Sequence, residues 1–537
     1  MRCAAAILAL PLLLNPAAAQ NAVSADVSSA NIRAHMAFLA SDRLRGREAG
    51  TPEYDLAANY VAAQMKGLGL SPMGGKNNGE RGYFQHVPLV AYRTTDQGKL
   101  TLHGKDGRAI PLVFGKDYLV GGSPLAATQD VDAPLVFVGF GLVAPEHGRD
   151  DYRGLDVKGK IVVALAGAPK FLQTEERAYY RSGRTKLAEA QAHGAVGYIS
   201  VGTLTGEKLY PFANMVRQYQ SWGMTWRKGD GKPFMASTIP SLAGVSVAGA
   251  HKLLGKDTDK ILATAESQDA AVQGFALPFS LHAVLHSEIR AMESENIVGE
   301  FPGSDPKLKN EYVVLSAHLD HIGVTPPVKG DAINNGALDN ASGVATTLEV
   351  ARLLRAAPMP PKRSILFLID TAEEKGLIGA DYFARNPTVP RAAITSDVDL
   401  DMPILTYDFT DVVAFGADRS SIGPAVKRAA GRLNVKLSPD PAPDEGIFTR
   451  SDHYRFVEQG IPAVFLATGY ANGGEAATKF FMKNNYHKPS DDLSQAIRYE
   501  VGAKFAKLNY QITRELADGV RPSWNKGDFF ADKFARK

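Results

Sequence analysis

The sequence has almost no cysteine, and it has no long apolar run beyond its N-terminus. Its single cysteine, Cys3, lies at the extreme N-terminus, so the remainder of the chain has no thiol and no disulfide. No later segment has the roughly 20 consecutive apolar residues that a membrane-spanning helix needs. Lysine plus arginine number 60 and aspartate plus glutamate 57, and this balance argues against nucleic acid or an anionic membrane as a partner.

The first residues have the pattern of an export signal. Met1-Arg2 provides a positive charge, and the apolar stretch "AAAILALPLLLNP" that follows is short for a bilayer span. The small residues of "AAAQ" predict cleavage between Ala19 and Gln20. We therefore predict a signal peptide over 1–19 and a soluble mature protein that is periplasmic or extracellular. Cys3 precedes the apolar run, whereas a lipoprotein cysteine would follow it.

The length of the chain and the changes in its local sequence pattern predict more than one domain. The chain has 537 residues, of which 45% are hydrophobic and 22% charged, as in soluble globular proteins. Two amphipathic helices separated by a turn-rich loop are predicted before residue 70. Short β-rich pieces such as "PLVFVGFGLV" and "GKIVVALAG", with the helix "RTKLAEAQAHG", then indicate a separate β-rich domain over 106–285. The segments 20–105 and 286–537 flank it.

The last part of the chain alternates buried strands with helices. "EYVVLSAHLD" and "RSILFLID" are apolar along their whole length until polar residues end them. Between them, "NASGVATTLEVARLLRA" has the 3.6-residue periodicity of an amphipathic helix. Continuous apolar strands that alternate with helices predict an α/β fold, with a sheet covered by helices on both faces.

Imidazoles and carboxylates collect where these strands end. In α/β sheets the ligand site lies outside the carboxyl ends of the strands. Each side chain alone has an ordinary explanation, because an aspartate can cap a helix and adjacent glutamates can favour a helix N-terminus. Together they are typical of a zinc site with open positions. The side chains at these ends and in the adjoining loops are His318, Asp320, Asp339, Glu373, Glu374, Asp401 and His487.

Five ordered motifs carry a family resemblance: "SAHLDHIG", "NGALDNASG", "DTAEEKGLIG", "DLDM" and "YHKPSDD". They resemble the co-catalytic dizinc exopeptidases, which include secreted bacterial aminopeptidases and transferrin-receptor-like peptidases. The resemblance covers about 295–500, and "LASDRLRGREAGTPEYDLAANYVAAQM" is similar to the N-terminal part of that family. "DVKGKIVVALAG" and "KLAEAQAHGAVGYISV" resemble a protease-associated domain inserted into the peptidase domain. The implied fold is a mixed sheet of the zinc exopeptidase, phosphorylase/hydrolase-like type.

The resemblance implies two zinc ions per chain. Asp339 matches the carboxylate that bridges both ions. His318 and Asp401 match the ligands of one ion, and Glu374 and His487 match those of the other. Three carboxylates, two zinc ions and a bridging hydroxide sum to zero charge, which a partly buried site tolerates well.

Other residues are assigned supporting roles by the same resemblance. Glu373 matches the general base, and Tyr486 is similar to an oxyanion-stabilising tyrosine of the carboxypeptidase branch. Asp320 matches the carboxylate that accepts a hydrogen bond from the imidazole of His318 and fixes its tautomer. The family tends to have a cis peptide bond after the bridging aspartate. We expect His321 to lie behind the ligands or to face solvent.

Two further features of the motifs lie beside the expected site. We expect Asp452 and His453 of "SDHYRF" to serve the start of a helix rather than to bind metal. Pro403, which follows "DLDM", departs from the small or apolar residue that the family often has there. Because of this departure, the resemblance does not predict the path of the loop after Asp401.

The implied activity is that of an exported zinc exopeptidase acting on peptides. An aminopeptidase, with a hydroxide bridging two zinc ions and a glutamate base, is the leading expectation. A carboxypeptidase, a glutaminyl-cyclase-like enzyme and a metal-free binding module remain alternatives. An aminopeptidase needs an acidic recess for the substrate amine, and a carboxypeptidase needs an arginine or lysine for the terminal carboxylate. The protease-associated domain is expected to border the cleft.

Overall fold

The computed structural model describes residues 26–77, 79–268 and 271–535. The predicted signal peptide over 1–19 lies outside these residues. Within the described ranges, no helix combines the length and the apolar character that crossing a membrane requires.

The N-terminal segment supplies two helices and the first strands. Ser28 caps the first helix and Thr51 the second, each accepting a hydrogen bond from a main-chain amide three residues on. The elements are α1 (Ser29–Leu39), α2 (Pro52–Gly67), β1 (Ser71–Pro72), β2 (Lys76–Asn77), β3 (Glu80–Arg81), β4 (Phe84–Thr94) and β5 (Lys99–Gly104).

The middle segment contains short strands and short helices. Four of its strands, β8, β11, β12 and β14, pair in parallel in that order. The elements are β6 (Ala109–Pro111), β7 (Tyr118–Leu119), β8 (Thr128–Phe137), β9 (Val143–Ala144), β10 (Arg149–Asp150), β11 (Ile161–Leu165), α3 (Thr174–Arg181), α4 (Gly183–Ala192), β12 (Gly197–Val201), α5 (Leu204–Leu209), α6 (Phe212–Arg217), β13 (Gly223–Trp226), β14 (Ser241–Val245), α7 (Val247–Leu254) and α8 (Thr258–Ala265).

The last segment has the alternating strands and helices that the sequence predicts. Its elements are β15 (Phe275–Phe301), β16 (Tyr312–His318), β17 (Val324–Val328), β18 (Asp331–Ile333), α9 (Ser342–Ala356), β19 (Ser364–Asp370), α10 (Ile378–Arg385), β20 (Ile394–Asp399), β21 (Asp411–Phe415), α11 (Ile422–Gly431), β22 (Lys436–Ser438), α12 (His453–Val457), β23 (Ala463–Thr468), α13 (Gly474–Asn484) and α14 (Tyr499–Asp518).

The sheet of this segment is mixed, with a parallel centre. The strands β19, β16, β20 and β23 run parallel to one another in that order. β15 joins one side and β21 the other, both antiparallel. Because the central strands run in the same direction, their carboxyl ends meet at one edge.

Helices cover both faces of this centre. Along β19, Ile365 and Phe367 belong to the core that contains α1, α9 and α14, whereas Leu366 belongs to the core that contains α10 and α12. This alternation follows from the two-residue period of a strand. The predicted α/β class, with helices on both faces of a mixed sheet, is confirmed.

One strand joins the middle segment to the last. β15 pairs with β5 and β8 near its start, with β4 further along, and with β19 at its end. The boundary predicted at 285/286 therefore falls inside a continuous strand. The division into 20–105, 106–285 and 286–537 stays a prediction.

Candidate metal centre

Three neighbouring parallel strands bring polar side chains to one buried edge. His318 is the last residue of β16, and Asp401 follows β20 by two residues. Glu373 and Glu374 follow β19 after a turn in which Ala372 adopts a left-handed conformation, with φ of 54°. The strand register sets His318 beside Asp370, so the turn after β19 lies next to the end of β16.

Asp320 fixes that turn rather than the imidazole of His318. Its carboxylate accepts hydrogen bonds from the main-chain amides of Glu373, at 3.0 Å, and Glu374, at 3.3 Å. His318 Nδ1 instead lies 3.1 Å from the main-chain oxygen of Asp320. The carboxylate role predicted for Asp320 is therefore wrong in detail, because this side chain points across to the loop of the adjacent strand.

A first cluster forms around His318. Its Nε2 lies 3.1 Å from Asp401 Oδ1 and 3.3 Å from Asp339 Oδ1, and the three side chains are buried. Ser451 donates a hydrogen bond to Asp401 Oδ2 at 3.0 Å. Asp401 therefore turns its other oxygen toward the imidazole.

A second cluster forms around Glu374. Its Oε2 lies 2.9 Å from His487 Nε2, and its Oε1 lies 2.6 Å from His321 Nδ1. Asp339 Oδ2 is 3.4 Å from His487 and 3.9 Å from His321. His321 is fully buried, so the alternative in which it faces solvent is wrong. Its imidazole contacts the carboxylate of Glu374, and the alternative in which it lies behind the ligands stays a prediction.

Asp339 belongs to both clusters, one oxygen to each. It precedes a cis peptide bond to Asn340, as the family resemblance predicts. Asp491 accepts hydrogen bonds from the main-chain amides of Leu338 and Asp339, both at 3.0 Å. Burial raises the pKa of the Asp491 carboxyl to about 6, although these amides oppose the shift. Sequence reasoning missed Asp491, even though it ends the "YHKPSD" stretch that contains His487.

A buried arginine supports the same loop from behind. Arg47 is fully buried, and its guanidinium donates to the main-chain oxygens of Leu319 at 2.7 Å and Gly336 at 2.8 Å. Burial lowers its pKa to about 10, against the opposing effect of Asp339 and Asp491. Its surroundings in the sequence, "RGREAGTPEY", predict only a turn-rich loop, and no sequence signal marks the burial.

The donor sets suit metal ions. The ligand atoms of His318, Asp339 and Asp401 lie within 4.8 Å of one another, as do those of His321, Asp339 and Glu374. Imidazole nitrogen with carboxylate oxygen is a combination that zinc accepts, and neither set contains a thiolate. Each cluster could hold a cation, with Asp339 as the shared ligand.

The ionisation of these groups reflects their mutual contacts. Burial alone would raise the pKa of the Glu374 carboxyl, yet its histidine neighbours lower it to about 2. In return, Asp339 and Glu374 raise the pKa of the His487 imidazole to about 10 against the effect of burial. The contacts of Glu374 thus hold its carboxyl in the charged form that a carboxylate ligand requires.

Glu373 takes no part in the hydrogen bonds and ion pairs of either cluster. Its carboxylate makes no hydrogen bond or ion pair to any described residue, and burial raises its pKa well above the ordinary value, with His318 opposing the shift. Glu373 lines a cavity of about 560 Å³ together with Asp339, Asp401 and Tyr486. The ring of Tyr486 stacks on His487 at a centroid distance of 3.8 Å.

The "SDHYRF" residues lie below the site. Asp452 immediately precedes α12, and His453 is its first residue. Both side chains are fully buried, and neither takes part in the two clusters. Their position at the helix start is as expected, but the side chain of Asp452 makes no capping hydrogen bond, so the role that we expect for them stays a prediction.

Comparison with known proteins identifies the family of this part of the chain. Residues 296–513 match the model of peptidase family M28. These residues belong to peptidase family M28. The match spans β16, β19, β20 and all seven residues singled out at their ends and in the adjoining loops.

Two curated relatives each match part of the chain. The leupeptin-inactivating enzyme 1 of Streptomyces exfoliatus is 29% identical over 211 residues, which cover 37% of this chain and 43% of that protein. Aminopeptidase Y of Saccharomyces cerevisiae is 28% identical over 277 residues, which cover 49% and 47%. The matched part of the chain thus spans less than half of each relative.

A solved structure supports the fold over a longer range. The aminopeptidase from Aneurinibacillus sp. strain AM-1 aligns with a TM-score of 0.52, covering 93% of this chain and 95% of that one. Its sequence identity is 20%, so the likeness concerns the fold. The protease-associated domain over 106–285 stays a prediction.

The role of Asp320 in stabilising the turn that bears Glu373 and Glu374 can be tested by substitution. We expect Asp320→Asn to lower the free energy of unfolding by about 2 kcal/mol, because it removes a buried, charged acceptor from two partly buried main-chain amides. Asp331→Asn is the matched control, since Asp331, at the exposed start of β18, accepts a similar bond from the main-chain amide of Ile333. Equal denaturation midpoints for the two variants would contradict the role assigned to Asp320.

Proposed function

We propose that the protein is an exported, zinc-dependent exopeptidase, and specifically an aminopeptidase that removes N-terminal residues from peptides. The observation that carries this proposal is the pair of clusters sharing Asp339, beside an unengaged Glu373 at the wall of a cavity. The M28 segment and the similarity to aminopeptidase Y support the same activity.

Two zinc ions are the cofactors in this proposal. Asp339 would be shared, His318 and Asp401 would hold one ion, and Glu374 and His487 the other, with His321 as a further donor beside the second. Bound zinc supplies Lewis-acid polarisation of the substrate carbonyl and lowers the pKa of a coordinated water. The residues of the chain carry out the remaining steps.

Glu373 would act as the general base. Its carboxylate borders the cavity and has no competing partner, so it can accept a proton from the attacking water and then donate it to the leaving amine. The hydroxyl of Tyr486, on the same wall, would donate a hydrogen bond to the oxyanion. The two adjacent glutamates would thus have different roles, with Glu374 as a metal ligand and Glu373 as the general base.

The cavity suits an apolar residue of the substrate. Its lining includes Ile404, Phe415, Phe465 and Met482. Burying one aliphatic or aromatic side chain there would contribute about 1.5–3 kcal/mol to binding. We therefore expect peptides that begin with a large apolar residue to be preferred.

A carboxypeptidase remains the second candidate because of three cationic side chains. Arg450, Lys479 and Lys483 line the same cavity, and any of them could bind a terminal carboxylate. Peptides with a free N-terminus and their N-acetylated counterparts separate the two activities. An aminopeptidase cleaves only the free peptides, whereas cleavage of the acetylated ones from their C-terminus would establish the carboxypeptidase.

The role of Glu373 is tested by an isosteric change. We expect Glu373→Gln to lower kcat by about 10²–10⁴-fold, because the amide cannot take up the proton. Bound zinc should be unchanged, since the side chain is not among the ligands. Glu500→Gln, at an exposed site on α14, is the matched control and should retain full activity. A Glu373→Gln enzyme with near-wild-type kcat would refute the assignment of the base.

A further inference from the structure

Helix α3 belongs to the middle segment but packs on a loop of the M28 segment. We define the pocket loop as residues 440–450, between β22 and α12. Arg181, the last residue of α3, donates to the main-chain oxygens of Asp444, at 3.1 Å, and Glu445. Arg177 Nη2, one turn earlier, lies 2.6 Å from Asp444 Oδ1. Two arginines of one helix therefore hold the loop at successive residues.

The closeness of this contact requires a glycine. Gly446 follows the two carbonyl groups that Arg181 binds and has a φ of +61°. A Cβ atom at this position would lie 2.9 Å from Arg181 Nη2 and 3.0 Å from the Cβ of Ala178. The backbone of the pocket loop thus lies directly against the surface of α3, with no room for a side chain between them.

α3 is in turn fixed to the C-terminal region. Arg419 binds Glu175 at the start of the helix and lies 3.4 Å from Asp528. The ring of Tyr179 packs edge-on against Phe529 at a centroid distance of 5.5 Å. The helix is anchored independently of the loop, so it can serve as a support for the loop.

The pocket loop forms one wall of the cavity next to Glu373. Its lining residues are Pro441, Ala442, Glu445, Ile447 and Arg450. None of these lies on the strands that bear the two metal clusters. A shift of the loop would alter the shape of the cavity and leave the clusters in place.

We infer that α3 positions the pocket loop, and that Arg181 thereby sets substrate affinity without touching the substrate. The planar guanidinium binds consecutive carbonyl groups in a fixed geometry, which a flexible lysine reproduces only in part. Without it, the loop has to be ordered when substrate binds, and the apparent affinity falls by the fraction of time that the loop is correctly placed. Arg181 is in this sense a positioning residue.

The inference rests on the proposed peptidase function for its kinetic readout. With a free-amine peptide substrate, we expect Arg181→Ala to raise KM about tenfold with kcat changed less than about twofold. Arg181→Lys should restore part of the affinity. Bound zinc should equal that of the wild type. Arg217→Ala is the control, because Arg217 is exposed in the same segment and its guanidinium bonds to Asn214.

Hydrogen exchange gives a second readout that does not depend on activity. We expect the amides of 440–450 to exchange about tenfold faster in Arg181→Ala than in the wild type and unchanged in Arg217→Ala. An inactive wild type with this exchange pattern would refute the proposed function and retain the positioning role. Gly446→Ala should act in the same direction, and it carries the test if Arg181→Ala does not fold.

Two results would overturn the inference. One is an unchanged KM together with unchanged exchange over 440–450 in Arg181→Ala. The other is a joint loss of kcat and of bound zinc, because it would show that Arg181 supports the general fold and not the cavity wall. Equal changes of KM and of exchange over 440–450 in Arg181→Ala and Arg217→Ala would also overturn the inference.

Discussion

Several carboxylates lie close together and buried at one edge of the sheet, and the surrounding structure has to compensate their charge. Asp339 shares one cluster with Asp401 and another with Glu374, and the side chains of all three are largely buried. Buried charges of one sign are unfavourable unless cations and hydrogen-bond donors compensate them. The chain provides imidazoles in contact with these carboxylates and main-chain amides that bind Asp320 and Asp491. Two metal ions would complete that compensation.

The same constraint explains how the loops are held. Each ligand comes from a different element, so the clusters depend on the register of β16, β19 and β20. A slip of one residue would turn His318 to the opposite face of the sheet. Asp320 ties the turn after β19 to the end of β16, and Arg47 ties the loop before Asp339 to the same strand end. The rigid frame thus lies beneath the clusters, while the cavity wall comes from separate loops.

Much of the site could be predicted from local patterns. Apolar strands that end abruptly in polar residues mark the carboxyl edge, and this is why His318, Glu374 and Asp401 could be expected to meet. Asp339 and His487 were predicted from the family motifs, because they lie in loops where hydrophobic periodicity does not predict the position of a side chain. The α/β class followed from the same alternation of strands and helices.

What escaped prediction depends on contacts between distant parts of the chain. Arg47 is in a polar turn, and its burial arises only when that turn packs under the loop before Asp339. The partners of Asp320 depend on which strand lies beside β16, and strand order is not a local property. The domain boundary predicted at 285/286 divides β15, although this strand runs unbroken from Phe275 to Phe301.

The central claim is that this edge holds two zinc ions through a shared aspartate. It is tested most directly by calorimetric titration of the chelator-treated protein with zinc, combined with elemental analysis of the bound metal. The account predicts two equivalents of zinc per chain, and weakened binding of both in Asp339→Asn, because each ion would lose a ligand. Absence of zinc binding, or two equivalents bound with unchanged affinity in Asp339→Asn, would contradict it.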